Sequence, residues 1–179
     1  ANILPGASVT GGTATLSTAQ ETALLDNLSL STVTDNADGS GSVGWTYSVS
    51  NAEIDFLGAG ETVELTFTVE INDGNGGTDT QDVVITITGT NDAPIIDSAA
   101  QTGSITETAD SAPTADANPA NATGTITFDD VDLSDTPTAN ILPGASVTGG
   151  TATLSTAQET ALLDNLSLST VTDNADGSG

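Results

Sequence analysis

Along residues 63–71 apolar and polar side chains alternate without a break. Val63, Leu65, Phe67, Val69 and Ile71 fall on one side of an extended chain; Glu64, Thr66, Thr68 and Glu70 fall on the other. A period of two predicts a strand with one face in a core and one in water. Val43, Trp45, Tyr47 and Val49 repeat the pattern, as do Val83, Ile85 and Ile87. Ile126 and Phe128 end a further strand, near 123–128, and Ile95 and Ile105 mark another, near 95–106. Threonine is common at the outward positions, where a β-branched polar side chain suits a wetted pleated surface. Between these runs stand turn signals: Asn36-Ala37-Asp38-Gly39, Gly58-Ala59-Gly60 and Asp73-Gly74-Asn75-Gly76-Gly77. One short helix is expected, because Thr18-Ala19-Gln20-Glu21 has capping-box spacing and Ala23, Leu24, Leu25 and Leu28 follow it. The pattern predicts an all-β antiparallel β-sandwich. Trp45, Tyr47, Phe56, Phe67 and Phe128 are expected in its core rather than on a sugar-binding platform. Residues 108–122 lack apolar periodicity and read as a long polar loop.

The chain repeats itself. Residues 139–179 are identical to residues 1–41 at every position, so the period is 138 residues and the 179-residue chain holds about 1.3 periods. A recent duplication without functional meaning is one reading; a window onto a long array of near-identical modules is the stronger one. A unit of this length can bury its own core, unlike short solenoid repeats that need stacked neighbours. The expected division is 1–91, the C-terminal two-thirds of one repeat, and 92–179, the N-terminal part of the next.

Composition narrows the function. There are 25 Asp plus Glu and no Lys, Arg or His, for a formal charge of −25. Phosphate recognition through basic side chains is excluded, as is a basic membrane-binding face. Catalysis through His, Lys or Cys is excluded too, since the chain also lacks Cys. The absence of Met and of a leader predicts a segment cut from a longer chain. The pairs Glu53/Asp55 and Glu61/Glu64 could be set to glycoside hydrolysis, but each sits on or beside a core strand, and an active site repeated in every module is not expected. The chain reads as a non-enzyme. No carboxylate can find a cationic side chain, so clustered acids must be hydrated, screened or bound to metal.

Four stretches in order carry a resemblance: Gly44-Trp45-Thr46-Tyr47; Ile54 to Thr62 (IDFLGAGET) with the strand to Ile71; Asn72 to Thr78 (NDGNGGT); and Ile85 to Pro94 (ITITGTNDAP). Together they resemble the VCBS repeat, and Gly124 to Asp132 (GTITFDDVD) resembles its start. About half the period is covered. Residues 1–41 match poorly and are expected to be a module-specific insertion carrying the helix. The resemblance implies an Ig-like, cadherin-like sandwich in tandem array, Ca2+ at the junctions, and an extracellular place in large RTX-type bacterial surface adhesins or filaments.

The residues lead to calcium separately. Asn91-Asp92 is the linker, and Pro94 restricts the hinge after it. A strand near 95–106 leaves this junction and the strand near 123–128 returns to it, ending in Asp129, Asp130, Val131 and Asp132. Asp130 and Asp132 share parity and can point together at Asp92. Calcium takes six to eight oxygens and resolves their repulsion. By the same walk Glu107 lies at the far end and serves the next junction, and Asp73 serves the junction before its own module. The expected metal ligands are therefore Asn91, Asp92, Asp130, Asp132, Asp73 and Glu107. Asp129 and Asp135 lie beside them, with a solvated turn equally open for both. Asp35 and Asp38 resemble half a calcium loop, although a hairpin turn accounts for them better.

These features predict a calcium-rigidified spacer whose partners are neighbouring copies, head to tail, with strand complementation between copies as one form of contact. Residues 92–179 lack the counterparts of strands 43–49, 63–71 and 82–88, so they are expected to need residues 42–91 of another copy, or their counterparts in a continued polypeptide. The alternative is a module that itself binds carbohydrate, ice or a partner surface. Glu64, Glu70 and Asp82 on the outer faces favour the spacer.

Overall fold

The computed structural model describes residues 1–109 and 118–174. Most of the long polar segment anticipated at 108–122 thus lies outside the described residues. In chain order the elements are β1 (Asn2–Ile3), β2 (Ser8–Gly12), α1 (Thr18–Leu25), β3 (Leu28–Leu30), β4 (Thr34–Asp35), β5 (Gly41–Ser42), β6 (Trp45–Tyr47), β7 (Thr62–Asn72), β8 (Thr78–Thr88), β9 (Ile95–Ile96), β10 (Phe128–Asp129) and α2 (Thr156–Leu163). All strand pairs are antiparallel.

β7 is the central strand. It forms a long hairpin with β8, from Thr62↔Thr88 to Asn72↔Thr78. Its other edge carries β2, through Val9↔Leu65, and β1, through Asn2↔Glu70. The alternation of β7 is realised from Val63 to Val69: Val63, Leu65, Phe67 and Val69 are buried between half-exposed neighbours, while Ile71, also expected on the core face, is 44% exposed near the hairpin turn. The β3–β6 ribbon lies against the inner face, where the Tyr47 and Phe67 rings meet at a 6.0 Å centroid separation, tilted by 52°. Leu24, Leu28, Leu57 and Ile87 complete the core.

Several expectations change. Residues 1–41 are integral: β1 and β2 supply an edge of the central sheet, and Leu24 and Leu28 are core. Short polar runs such as Ser8-Val9-Thr10 carry little periodic signal; β7 makes them strands by offering an edge. The strands expected near 95–106 and 123–128 shrink to β9 and β10, which pair only with each other. Their apolar positions are too few to bury a face. Trp45 is 51% exposed, because β3–β6 is only two-stranded among the described residues and leaves that side uncovered. Phe67 is buried, Tyr47 and Phe56 are partly buried against the core, and Phe128 on β10 is half-buried. Asp35 and Asp38 belong to the β4–β5 hairpin turn, their carboxylates accepting from Ala37 N–H at 2.9 Å and Ser40 N–H at 2.9 Å.

The two helices have the same sequence and the same cap. Ser17 Oγ accepts from Gln20 N–H, and Gln20 Oε1 accepts from Ser17 N–H at 2.8 Å; Ser155 and Gln158 repeat the box. Only α1 is seated: Leu24 is 0% exposed, while its counterpart Leu162 is 59% exposed. Ser17→Ala is therefore expected to lower the stability of the folded body by about 1 kcal/mol, the usual worth of a Ser cap. Ser155→Ala should leave the main transition unmoved. Urea titration of both variants checks this, and equal midpoint shifts would contradict it.

Candidate metal centre

β8 ends at Thr88, and the linker that follows is held by backbone bonds. Gly89 N–H donates to Glu61 O at 2.8 Å and Gly60 N–H to Gly89 O at 3.2 Å. The next polar contact crosses to a distant part of the chain: Asp92 N–H donates to Asp132 Oδ2 at 2.7 Å. Asp132 is brought there by β10, which pairs with β9 directly after the linker, Asp129 opposite Ile95. The segment after β10 then closes on itself and on the body. Asp132 N–H donates to Asp130 Oδ1 at 3.2 Å, Asp135 N–H to Asp132 O at 3.0 Å, and Leu133 N–H to Phe56 O at 3.4 Å. Gly58 is the seat for this loop. A Cβ there would meet Ser134 Oγ at 2.6 Å, with Asp135 Oδ1 and Glu61 Oε2 close behind.

Carboxylate oxygens of Asp130, Asp132 and Asp135 lie within 4.8 Å of one another. Asp130 is 5% exposed and Asp132 2%, while Asp135 is half-buried. Asp132 Oδ1 is buried and receives no hydrogen bond. An unsatisfied buried carboxylate oxygen is costly, and no cationic side chain exists in the sequence to compensate it. Burial raises the Asp132 pKa above its ordinary 3.8, and the charges of Asp135, Asp92 and Asp130 push the same way, against the Asp92 N–H. This triad of hard oxygen donors, with one oxygen left over, could hold a metal ion.

Of the residues singled out from the sequence, Asp130 and Asp132 are in the cluster. Asp92 reaches it through its backbone N–H, with an exposed side chain, and the Asn91 side-chain amide donates to the Asp92 carbonyl. Asp73 lies at the other end of the β7–β8 hairpin, where its Oδ1 accepts from Asn75 N–H at 2.7 Å and Gly77 N–H at 2.9 Å; these bonds lower its pKa. Glu107 is exposed and outside any element. Asp129 is exposed on β10. Asp135 enters the cluster, and its signal was the spacing Asp130-x-Asp132-x-x-Asp135, which a turn folds onto one point. Glu61 borders the seat, its carboxylate accepting from Gly58 N–H at 3.0 Å. Comparison with protein-family models, with curated proteins and with solved structures gives no match.

The raised Asp132 pKa sets a pH dependence. Without metal, the folded chain holds this proton more tightly than the unfolded chain. The group's contribution to stability therefore falls as pH rises from the ordinary value of 3.8 through the raised one. In chelator the parent should therefore lose stability relative to Asp132→Asn as pH rises from mild acid to 7, a difference that leaves out the opposite contributions of Asp38, Glu53 and Asp73, whose pKa values are lowered. With a divalent cation the parent should instead gain on the variant over the same range, because the ion replaces the proton. Melting curves of both chains, with and without chelator, check both directions; a chelated parent that gains on Asp132→Asn towards neutrality would contradict the assignment.

Proposed function

We propose that the chain is a structural segment of a long extracellular bacterial array, built from VCBS-like, cadherin-like sandwich repeats and stiffened by Ca2+ at the linker between them. In this reading the β7 sheet and the β3–β6 ribbon are the two faces of a sandwich, and the module is a spacer without catalytic activity. The observation that carries it is the Asp132 carboxylate, buried beside Asp130 and Asp135 and tied to the linker by Asp92 N–H, with one oxygen unpaired. An ion at that point joins the loop at 130–135 to residues 89–92 and to the Phe56–Glu61 turn. It therefore restricts the hinge as well as neutralising the acids. Calcium suits the site because it accepts irregular sets of carboxylate, carbonyl and water oxygens.

Calcium binding to the folded form alone adds RT ln(1 + [L]/Kd) to stability. Extracellular sites of this kind bind at roughly 10⁻⁴–10⁻³ M, so millimolar calcium suffices. The chain in millimolar calcium should melt at higher temperature than in chelator. Small-angle scattering should show a narrower spread of dimensions with calcium. Identical melting and identical scattering in both conditions would remove the reading.

A further inference from the structure

We propose that Asn75 is a latent site of self-modification, losing its side-chain amide to attack by the Gly76 backbone nitrogen, and that the Asp73 carboxylate holds this reaction in check. The inference is independent of calcium and of the array reading, because every bond it uses lies within residues 72–77. Asn75-Gly76 is the one Asn-Gly step in the sequence. It stands in the exposed turn at 73–77 that joins β7 to β8. Gly76 has φ +102°, a conformation that suits glycine, and a Cβ there would meet nothing within 4 Å. Residue 76 thus brings no side chain to crowd the ring that would form. The reaction needs only water. Hydroxide removes the Gly76 amide proton, and the nitrogen attacks Asn75 Cγ. The Cγ–Nδ2 bond breaks, and Nδ2 leaves as ammonia with its third hydrogen supplied by water. A five-membered cyclic imide remains, and water opens it at either carbonyl. Breaking the bond from Gly76 N to Cγ gives an aspartyl residue. Breaking the bond from Gly76 N to the main-chain carbonyl carbon gives an isoaspartyl residue, whose main chain runs through Cβ and Cγ and is one atom longer.

Intramolecular attack requires the reacting atoms to come within roughly 3–3.5 Å in alignment. The turn opposes this in two ways. Asn75 Nδ2 donates to Asp73 O at 3.3 Å, which draws the side chain back towards residue 73. Asp73 Oδ1 accepts from Asn75 N–H at 2.7 Å and from Gly77 N–H at 2.9 Å, the two groups on either side of Gly76 N–H. These bonds, with a smaller contribution from Gly76 N–H, lower the Asp73 pKa below its ordinary 3.8. At neutral pH a full negative charge therefore faces the nitrogen that must itself become anionic, and like charge disfavours that step. The fit is close: a Cβ on Gly77 would lie 2.7 Å from Asp73 Oδ2. Removing the carboxylate frees the flanking amides and takes away the charge.

Prolonged incubation of the full chain at mildly alkaline pH tests this. Peptide mass spectrometry follows the conversion of amide to acid at position 75, and isoaspartyl-specific methylation counts the rearranged product. The folded parent should convert several-fold more slowly than the same chain in urea. Folded Asp73→Ala should convert several-fold faster than the folded parent and yield both aspartyl and isoaspartyl products. Asp73→Ser, whose hydroxyl can still accept from a turn N–H but carries no charge, should also exceed the parent. Asn72→Ala is the control for a turn that is merely loosened. It removes the bond from Gly74 N–H to Asn72 Oδ1 at 2.8 Å and leaves the Asp73 carboxylate in place, so it should stay near the parental rate. In urea all four chains should converge, and melting curves verify that each is folded without it. Both Asp73 variants at the parental rate would overturn the proposal, as would equal acceleration by Asn72→Ala. Conversion without any isoaspartyl product would overturn the imide route.

Discussion

Asp132→Asn is expected to abolish the calcium response and, in chelator, to leave the chain as stable as the parent or more so. The parent Asp132 is a buried charge facing two other carboxylates, with one oxygen unpaired. An Asn amide keeps an oxygen for Asp92 N–H and removes the repulsion. A substitution that deletes a merely structural hydrogen bond would instead destabilise in both conditions. The size of the lost response follows from linkage: at about 10 to 100 times Kd, bound calcium contributes roughly 1.4–2.7 kcal/mol. Calorimetric titration and melting in calcium and in chelator measure both halves. A variant that still gains stability from calcium like the parent would displace the ion from this triad.

Phe67→Ala should do the reverse, costing about 3–5 kcal/mol of stability, the usual range for emptying a buried Phe site. Phe67 is 1% exposed at the middle of β7, against Tyr47. Its neighbours come from a ribbon and a strand hairpin that cannot both move in to fill the space. Since the total stability of a domain is about 5–15 kcal/mol, this is a large part of it. The calcium increment should survive, because the triad lies at the Thr62 end of the strand and not in the core. Denaturant melts in calcium and chelator test the independence; a Phe67→Ala chain that remains folded but no longer responds to calcium would show that core and site are coupled.

How much of this was legible follows the range of the interactions. The β7–β8 hairpin was, because its alternation is long and its turn, Asp73 to Gly77, is local. The linker acids were in part: Asp130 and Asp132 share parity and follow a strand that returns to Asn91-Asp92. That Asp92 would contribute its N–H and that Gly58 would receive the loop depends on contacts across some 40 or more residues. Asp73 carries equally suggestive chemistry in sequence, and there the local turn takes up its carboxylate.

The 41 residues that occur twice separate the two kinds of information most sharply. Sequence alone determined the helix: Thr18–Leu25 and Thr156–Leu163 both form behind a Ser–Gln capping box, whatever surrounds them. Only tertiary structure decided the strands. Asn2–Ile3, Ser8–Gly12 and Leu28–Leu30 are extended and paired, and the same residues at 140–141, 146–150 and 166–168 are not. A helix satisfies its backbone within its own turns, so its instructions are local. A strand leaves its N–H and C=O groups pointing sideways, and it becomes a strand only where another segment is there to meet them.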